Sequence, residues 1–186
     1  GTFGDGLVQL QIVRDEDEKT TTALRQLDQH VYDPWDTTTL PANRVTSLLM
    51  LEGQHLLVGT FGGGLAALDL LTGNFENFDE ADVHGPADNR ILRLFRDSAG
   101  RIWIGTYSQG VDLCWLDDEE SKNIDRIGLP LRFTHNRHNP YKPASLSQND
   151  VLSIFEDRGG IIWIGTHRGG VNKVNAANAQ FTHIMV

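Results

Sequence analysis

The chain has 186 residues, with 16 basic and 25 acidic side chains and a formal net charge of −9. Hydrophobic residues make up 39% and charged residues 22%, which fits a globular protein with a real core and excludes collagen, coiled coil and general disorder. The acidic balance argues against a nucleic-acid partner, which needs a dense basic face, and no apolar run reaches the roughly 20 residues that cross a bilayer.

From the N-terminus, Gly1-Thr-Phe-Gly-Asp-Gly6-Leu7 is the first of four strings of the form Gly-Thr-x-x-x-Gly-[Leu/Val]; the others begin at Gly59, Gly105 and Gly165. No basic-then-apolar leader follows Gly1, so no signal peptide is expected, and the sequence reads as a piece of something longer. Residues 14–42 hold a charge cluster, Arg14-Asp-Glu-Asp-Glu-Lys19, then Thr-rich sequence, with one strand expected at Thr22–Leu27 and the rest as solvated loop. Asn43, Asn89 and Asn149 each precede a Gly-Thr by 16 positions.

Aligned without gaps, 89–116 and 149–176 share 12 of 28 residues. In each copy, Ile91–Phe95 and Val151–Phe155 read as a first strand. Asp97-Ser-Ala-Gly100 and Asp157-Arg-Gly-Gly160 read as tight turns. The Ile-Trp-Ile runs at 102–104 and 162–164 give a second strand, apolar on both faces. Val111–Trp115 and Val171–Val174 give a third, and the Phe-centred segments at 75–78, 133–135 and 181–185 give a fourth. Residues 117–130 form an acidic insertion between the third and fourth strands. Four antiparallel strands per unit of roughly 50 residues make the blade of a β-propeller. The fold class is therefore all-β, a single partial propeller over 1–186 of about three and a half blades: a partial one at 1–30, then 43–78, 89–135 and 149–186.

Most candidate chemistry reduces to this frame. Trp103 and Trp163 fill the wedge between blades. Asp97 and Asp157 recur at one repeat position, as a turn-stabilising residue does and a catalytic pair need not. Gly59, Gly105 and Gly165 belong to a turn seen in every copy. Gly59–Gly64 lacks the Gly-Lys-[Ser/Thr] of a phosphate loop. His135 and His138, near Asp125, fall in a loop rather than on the helix face that would present both to a metal. His84, His167 and His183 are isolated. Asp117-Asp-Glu-Glu120 lacks calcium-loop spacing, and no Gly-x-Ser-x-Gly occurs. Cys114 is the single cysteine, which excludes an internal disulfide. No catalytic residue, metal or cofactor is expected. Variable positions on a rigid frame are the better binding candidates. Phe61, Tyr107, Ser108, Gln109, His167 and Arg168 follow Gly-Thr. Arg44, Arg90 and Asp150 follow the repeat Asn and open the strand that lines a propeller's channel. Arg44 and Arg90 suit an anionic or hydroxyl-rich ligand.

The stretch Ser145-Leu-Ser-Gln-Asn149 through Ile162-Trp-Ile-Gly-Thr166 to Gly170-Val171 resembles the two-component regulator propeller repeat, and 89–111 does so nearly as well. The copy at 43–65 departs from it, with Leu51 for the turn Asp and Leu57 for the Trp. The resemblance implies a periplasmic sensor domain of an inner-membrane receptor. The output module of such a receptor is a histidine kinase or diguanylate cyclase, and its ligand is a small molecule such as a saccharide. The alternatives are a protein-interaction or dimerisation platform without a small ligand and, less favoured, a propeller lyase or hydrolase. Fewer than four complete blades do not close a ring. Self-association as a homo-oligomer, or completion by the remaining blades of a parent propeller, is therefore expected.

Overall fold

The two Asp-initiated turns show how the chain reverses inside a blade. In the computed structural model, which describes residues 1–14, 22–51, 54–116, 131–175 and 180–184, Asp97 accepts the N–H groups of Ala99 and Arg101 and the Trp103 indole N–H, the last at 2.8 Å. Asp157 repeats this with Gly159, Ile161 and Trp163. The turn carboxylate thus also satisfies the indole donor that a buried Trp would otherwise leave unpaired.

Strands β1 (Leu7–Arg14) and β2 (Thr22–His30) form a two-stranded antiparallel sheet. Three four-stranded antiparallel sheets follow. The first holds β3 (Val45–Met50), β4 (His55–Thr60), β5 (Leu65–Asp69) and β6 (Phe75–Phe78). The second holds β7 (Ile91–Arg96), β8 (Ile102–Thr106), β9 (Val111–Leu116) and β10 (Leu131–Asn136). The third holds β11 (Val151–Glu156), β12 (Ile161–Thr166), β13 (Gly170–Asn175) and β14 (Gln180–Ile184). The charge cluster at 15–19 and the acidic stretch 117–130, with Asp125, lie outside the described residues.

The sheets stack face to face, and the period of two along a strand sends alternate side chains to different neighbours. In β4, Leu57 enters the core shared with Ile91, Leu94 and Ile104 of the next sheet, while Val58 enters the core containing Leu7 and Phe75. In β8, Ile102 and Ile104 face backward to Leu57, and Trp103 faces forward to Ile154, Ile162 and Val174. Hence every residue of β8 is buried, and its continuous apolar run is explained. β12 differs: it alternates between buried and half-buried. Among the described residues no further sheet covers its forward face, so Trp163 is only half-buried, with the Lys173 ammonium 5.9 Å from its ring.

The first strands stand side by side and carry the same irregularity. The register of β3, β7 and β11 shifts at Val45/Ser47, Ile91/Arg93 and Val151/Ser153, a bulge that bends each strand at the same point. The Thr46 hydroxyl bridges the sheets, reaching the Ile91 carbonyl at 2.7 Å. Glu156 of β11 accepts the Ser98 N–H and hydroxyl from the preceding sheet's turn.

Close approach between sheets is set by a glycine. A Cβ on Gly105 would lie 2.7 Å from Cγ1 of Val151, and one on Gly59 would lie 2.8 Å from Cγ2 of Ile91. Gly105→Val is therefore expected to cost about 1–3 kcal/mol by overpacking, read as a lower urea midpoint. Gly4→Ala, whose Cβ meets nothing within 4 Å, should leave the midpoint within about 0.5 kcal/mol.

Candidate functional site

The Gly-Thr-x-x-x-Gly turn builds one edge of the sheets. The Thr60 and Thr106 hydroxyls donate to the carbonyls of Gly64 and Gly110 at 2.9 and 2.8 Å, and accept the N–H groups of Gly63 and Gln109. Gly64 and Gly110 have φ of 77° and 87°, and a Cβ on either would strike the carbonyl oxygen that ends the fourth strand, Phe78 or Asn136; only glycine fits. Their N–H groups bond to the carbonyls of Asn89 and Asn149, which lead the next sheet. The Asn side chains close the other side: Oδ1 of Asn43, Asn89 and Asn149 accepts the N–H of Tyr32, Glu80 and His138. In the turn at Gly59–Gly64, the amides of Gly62, Gly63 and Gly64 all have partners within the protein, so none is left to cradle a phosphate.

This frame brings the two variable positions of each sheet together. Phe61, Tyr107 and His167 donate their N–H to the carbonyls of Arg44, Arg90 and Asp150, each at 2.9 Å. The Arg44 guanidinium lies between two rings, 3.9 Å from the centroid of Phe3 and 4.0 Å from that of Phe61. Phe61 meets Tyr107 edge-on at 5.6 Å, Arg90 lies 4.8 Å over Tyr107, and His167 faces Asp150 at 3.8 Å. With Ser108, which Arg90 meets through its hydroxyl, seven of the nine binding candidates thus form one rank across three sheets. The other two stand apart. The backbone of Gln109 serves the Thr106 turn. Arg168, at φ 68°, lines a separate groove of about 410 Å³ with His138, Gln148 and His183.

The two arginines differ in their partners. Arg90 donates to Asp88 through Nε at 2.9 Å and Nη2 at 3.1 Å, and to the Ser108 hydroxyl at 2.6 Å. Burial pushes the Asp88 carboxyl up, but hydrogen bonds from Arg90 and Ser108, with the Arg90 charge, outweigh this and hold it below its ordinary value. Arg44 has no acidic partner among the described residues, and its Nε is buried without an acceptor. Two residues of this site are not among the sequence candidates. Phe3 occupies the same post-Thr position as Phe61 and was legible from the repeat. Asp88, just before the repeat Asn, gives no signal until the fold folds Arg90 back onto it.

A second polar position is structural. Asp112 is fully buried and accepts the Ala87 N–H at 2.7 Å, with His135 Nδ1 at 2.8 Å. Asn172 does the same for the Ser147 N–H one sheet on. One sheet back, Pro41 has no N–H, and Ala66 stands opposite it in the repeat. His138 bonds instead to the Leu146 carbonyl, so His135 and His138 do not converge. No three His, Cys, Asp or Glu among the described residues could hold a metal, and burial pushes the Cys114 thiol up, away from reactivity.

The two-component regulator propeller family matches residues 85–108 and 145–168. Those two segments are two-component regulator propeller repeats. Two extracellular domains described as hybrid two-component systems of B. thetaiotaomicron superpose on 98% of it. BT3049 does so with a TM-score of 0.65 at 16% identity, and BT4673 with 0.66 at 20%. At those identities the likeness is one of fold. A histidine kinase, P4, of Formosa agariphila is 31% identical over 100 residues, 53% of the chain. The chain spans 25% and 23% of the two solved domains and 6% of the kinase.

Burial pushes the Asp112 carboxyl above its ordinary 3.8, against the pull of the Ala87 N–H and His135. A raised folded value means that ionisation costs stability. The cost is absent below about pH 3.8 and grows as pH rises through the raised value. Asp112→Asn, which keeps an acceptor for Ala87, should gain on the wild type as pH rises from about 4 to about 8, by urea denaturation. Asp112→Ala leaves that N–H unpaired and should cost about 1–3 kcal/mol.

Proposed function

We propose that this chain is part of the ligand-sensing propeller of a bacterial signal-transduction receptor, lying outside the cytoplasm and passing its signal to a histidine kinase. The observation that carries this reading is the rank from Phe3 to His167. There, variable aromatic and charged side chains project from a frame whose own hydrogen bonds are satisfied. The extracellular position of the two solved domains and the kinase identity of the curated relative support the location and the output. The domain itself binds and does not catalyse; the ligand is a small polar molecule, with saccharides the first class to test. A saturating ligand at about 100 times its Kd raises stability by about 2.7 kcal/mol. Thermal unfolding against a panel of saccharides and organic acids should therefore show a clear rise for at least one. A flat response across the panel sinks the small-ligand reading.

A second reading, a surface for further blades or another copy, has its own observation. Phe95 packs into the core beneath the third sheet, whereas its repeat equivalent Phe155 is 60% exposed and Leu152 of the same strand 54%. An uncovered face of this kind is a site of association. Sedimentation of the purified chain should show mass rising with concentration, and Phe155→Glu should suppress the rise. A concentration-independent monomer in both forms would remove this reading.

A further inference from the structure

Arg44 and Arg90 occupy one repeat position, yet only one of them is neutralised. In its own sheet Arg90 has Asp88 two residues before it and Ser108 two after the Thr of its turn, and both bond its guanidinium. The matching positions around Arg44 are Ala42 and Gly62. Neither can accept a hydrogen bond through a side chain. Phe3 and Phe61 cover the two faces of the Arg44 guanidinium and its Nε is buried, which leaves only its two Nη groups for a partner. The planar edge of a guanidinium matches a carboxylate in two parallel bonds. The molecule displays that geometry one sheet away, where the Asp88 carboxylate spans Nε and Nη2 of Arg90.

We propose that Arg44, held between Phe3 and Phe61, receives the carboxylate of a ligand on the Nη edge of its guanidinium, in the role that Asp88 fills for Arg90. The ligand class is a small carboxylate, either an acidic sugar or an acyclic organic acid. This rests on the ligand-sensing reading above and narrows it. The aromatic clamp fixes the guanidinium before the ligand arrives, so little side-chain freedom is lost on binding. Its charge has no competing carboxylate among the described residues. The outer surface of Phe3, 75% exposed, is open to a sugar ring bearing the acid.

The test is titration calorimetry of the 186-residue chain with sodium galacturonate, sodium succinate and glucose. Saturable binding of galacturonate alone assigns the acid to a sugar. Binding of both acids assigns it to the carboxylate itself. Either supports the proposal if Arg44→Gln weakens binding by about tenfold or more. Ala42→Asp supplies an internal carboxylate where Arg90 already has one, and should abolish binding while leaving the unfolding midpoint unchanged or higher. Failure of both acids to bind overturns the proposal, as does acid binding that survives Ala42→Asp in a folded protein. Glucose binding that ignores both substitutions also overturns it, while leaving the sensor reading intact.

Discussion

The spacing of the sheets depends on a missing side chain. Gly1, Gly59 and Gly105 each face the β-branched residue that opens the next sheet, Val45, Ile91 and Val151. Any Cβ at these glycines would push the neighbouring sheet away. Close approach there lets the bulged first strands lie side by side and lets Thr46 reach across to Ile91. It also commits the strands of a sheet covered on both faces to two cores, because side chains on their two faces belong to different neighbours. Stability in such an array is a sum of nearest-neighbour interfaces. The second sheet, covered on both faces, holds the fully buried Trp103; the third, covered on one, holds the half-buried Trp163.

The frame uses up its own polar groups, and this separates structure from function. Thr hydroxyls, Asn side chains and turn amides are satisfied by one another in copy after copy. Where a donor is absent, the acceptor is absent too: Pro41 stands opposite Ala66, whereas Ala87 and Ser147 have Asp112 and Asn172. Repeat positions therefore act in pairs. Two arginines at one position are not equivalent when the residues around them differ, and the contrast between Ala42 and Asp88 decides which guanidinium is left open.

The repeat period, the strands and the turn carboxylates were legible in the sequence, because each is written by residues close along the chain or fixed in phase; Arg44 and Arg90 formed one set there and Phe61 and Tyr107 another, and the backbone bonds that join the two sets come only with the fold. The indole bond to Asp97 and Asp157 was less so, since it needs the turn's geometry as well as its residue types. The exposure of Trp163 and Phe155 could not be read from their own copy, which nearly matches that of Trp103 and Phe95. Burial here is decided by whether another sheet stands opposite. Gln109 and Arg168 share the variable segment with Tyr107 and His167, but a tight turn points successive residues in different directions, so adjacency in sequence did not carry them to the same place.

A net charge of −9 looks unfavourable for an anionic ligand, but range decides the matter. At physiological ionic strength charges more than roughly 8 Å apart in solvent are largely screened, so the acidic surface at large contributes little at the mouth of the site. In the rank itself, Asp88 is already spent on Arg90, and Arg44 has no acidic partner among the described residues. The two rings limit water to the guanidinium edge, and a guanidinium is weakly hydrated to begin with. Replacing that edge water by a carboxylate sacrifices less hydration than it would at an exposed lysine. A ligand without a negative charge would leave the guanidinium unpaired and gain only ring contact. The same local arrangement therefore supplies attraction and discrimination together, on a surface whose overall sign opposes both.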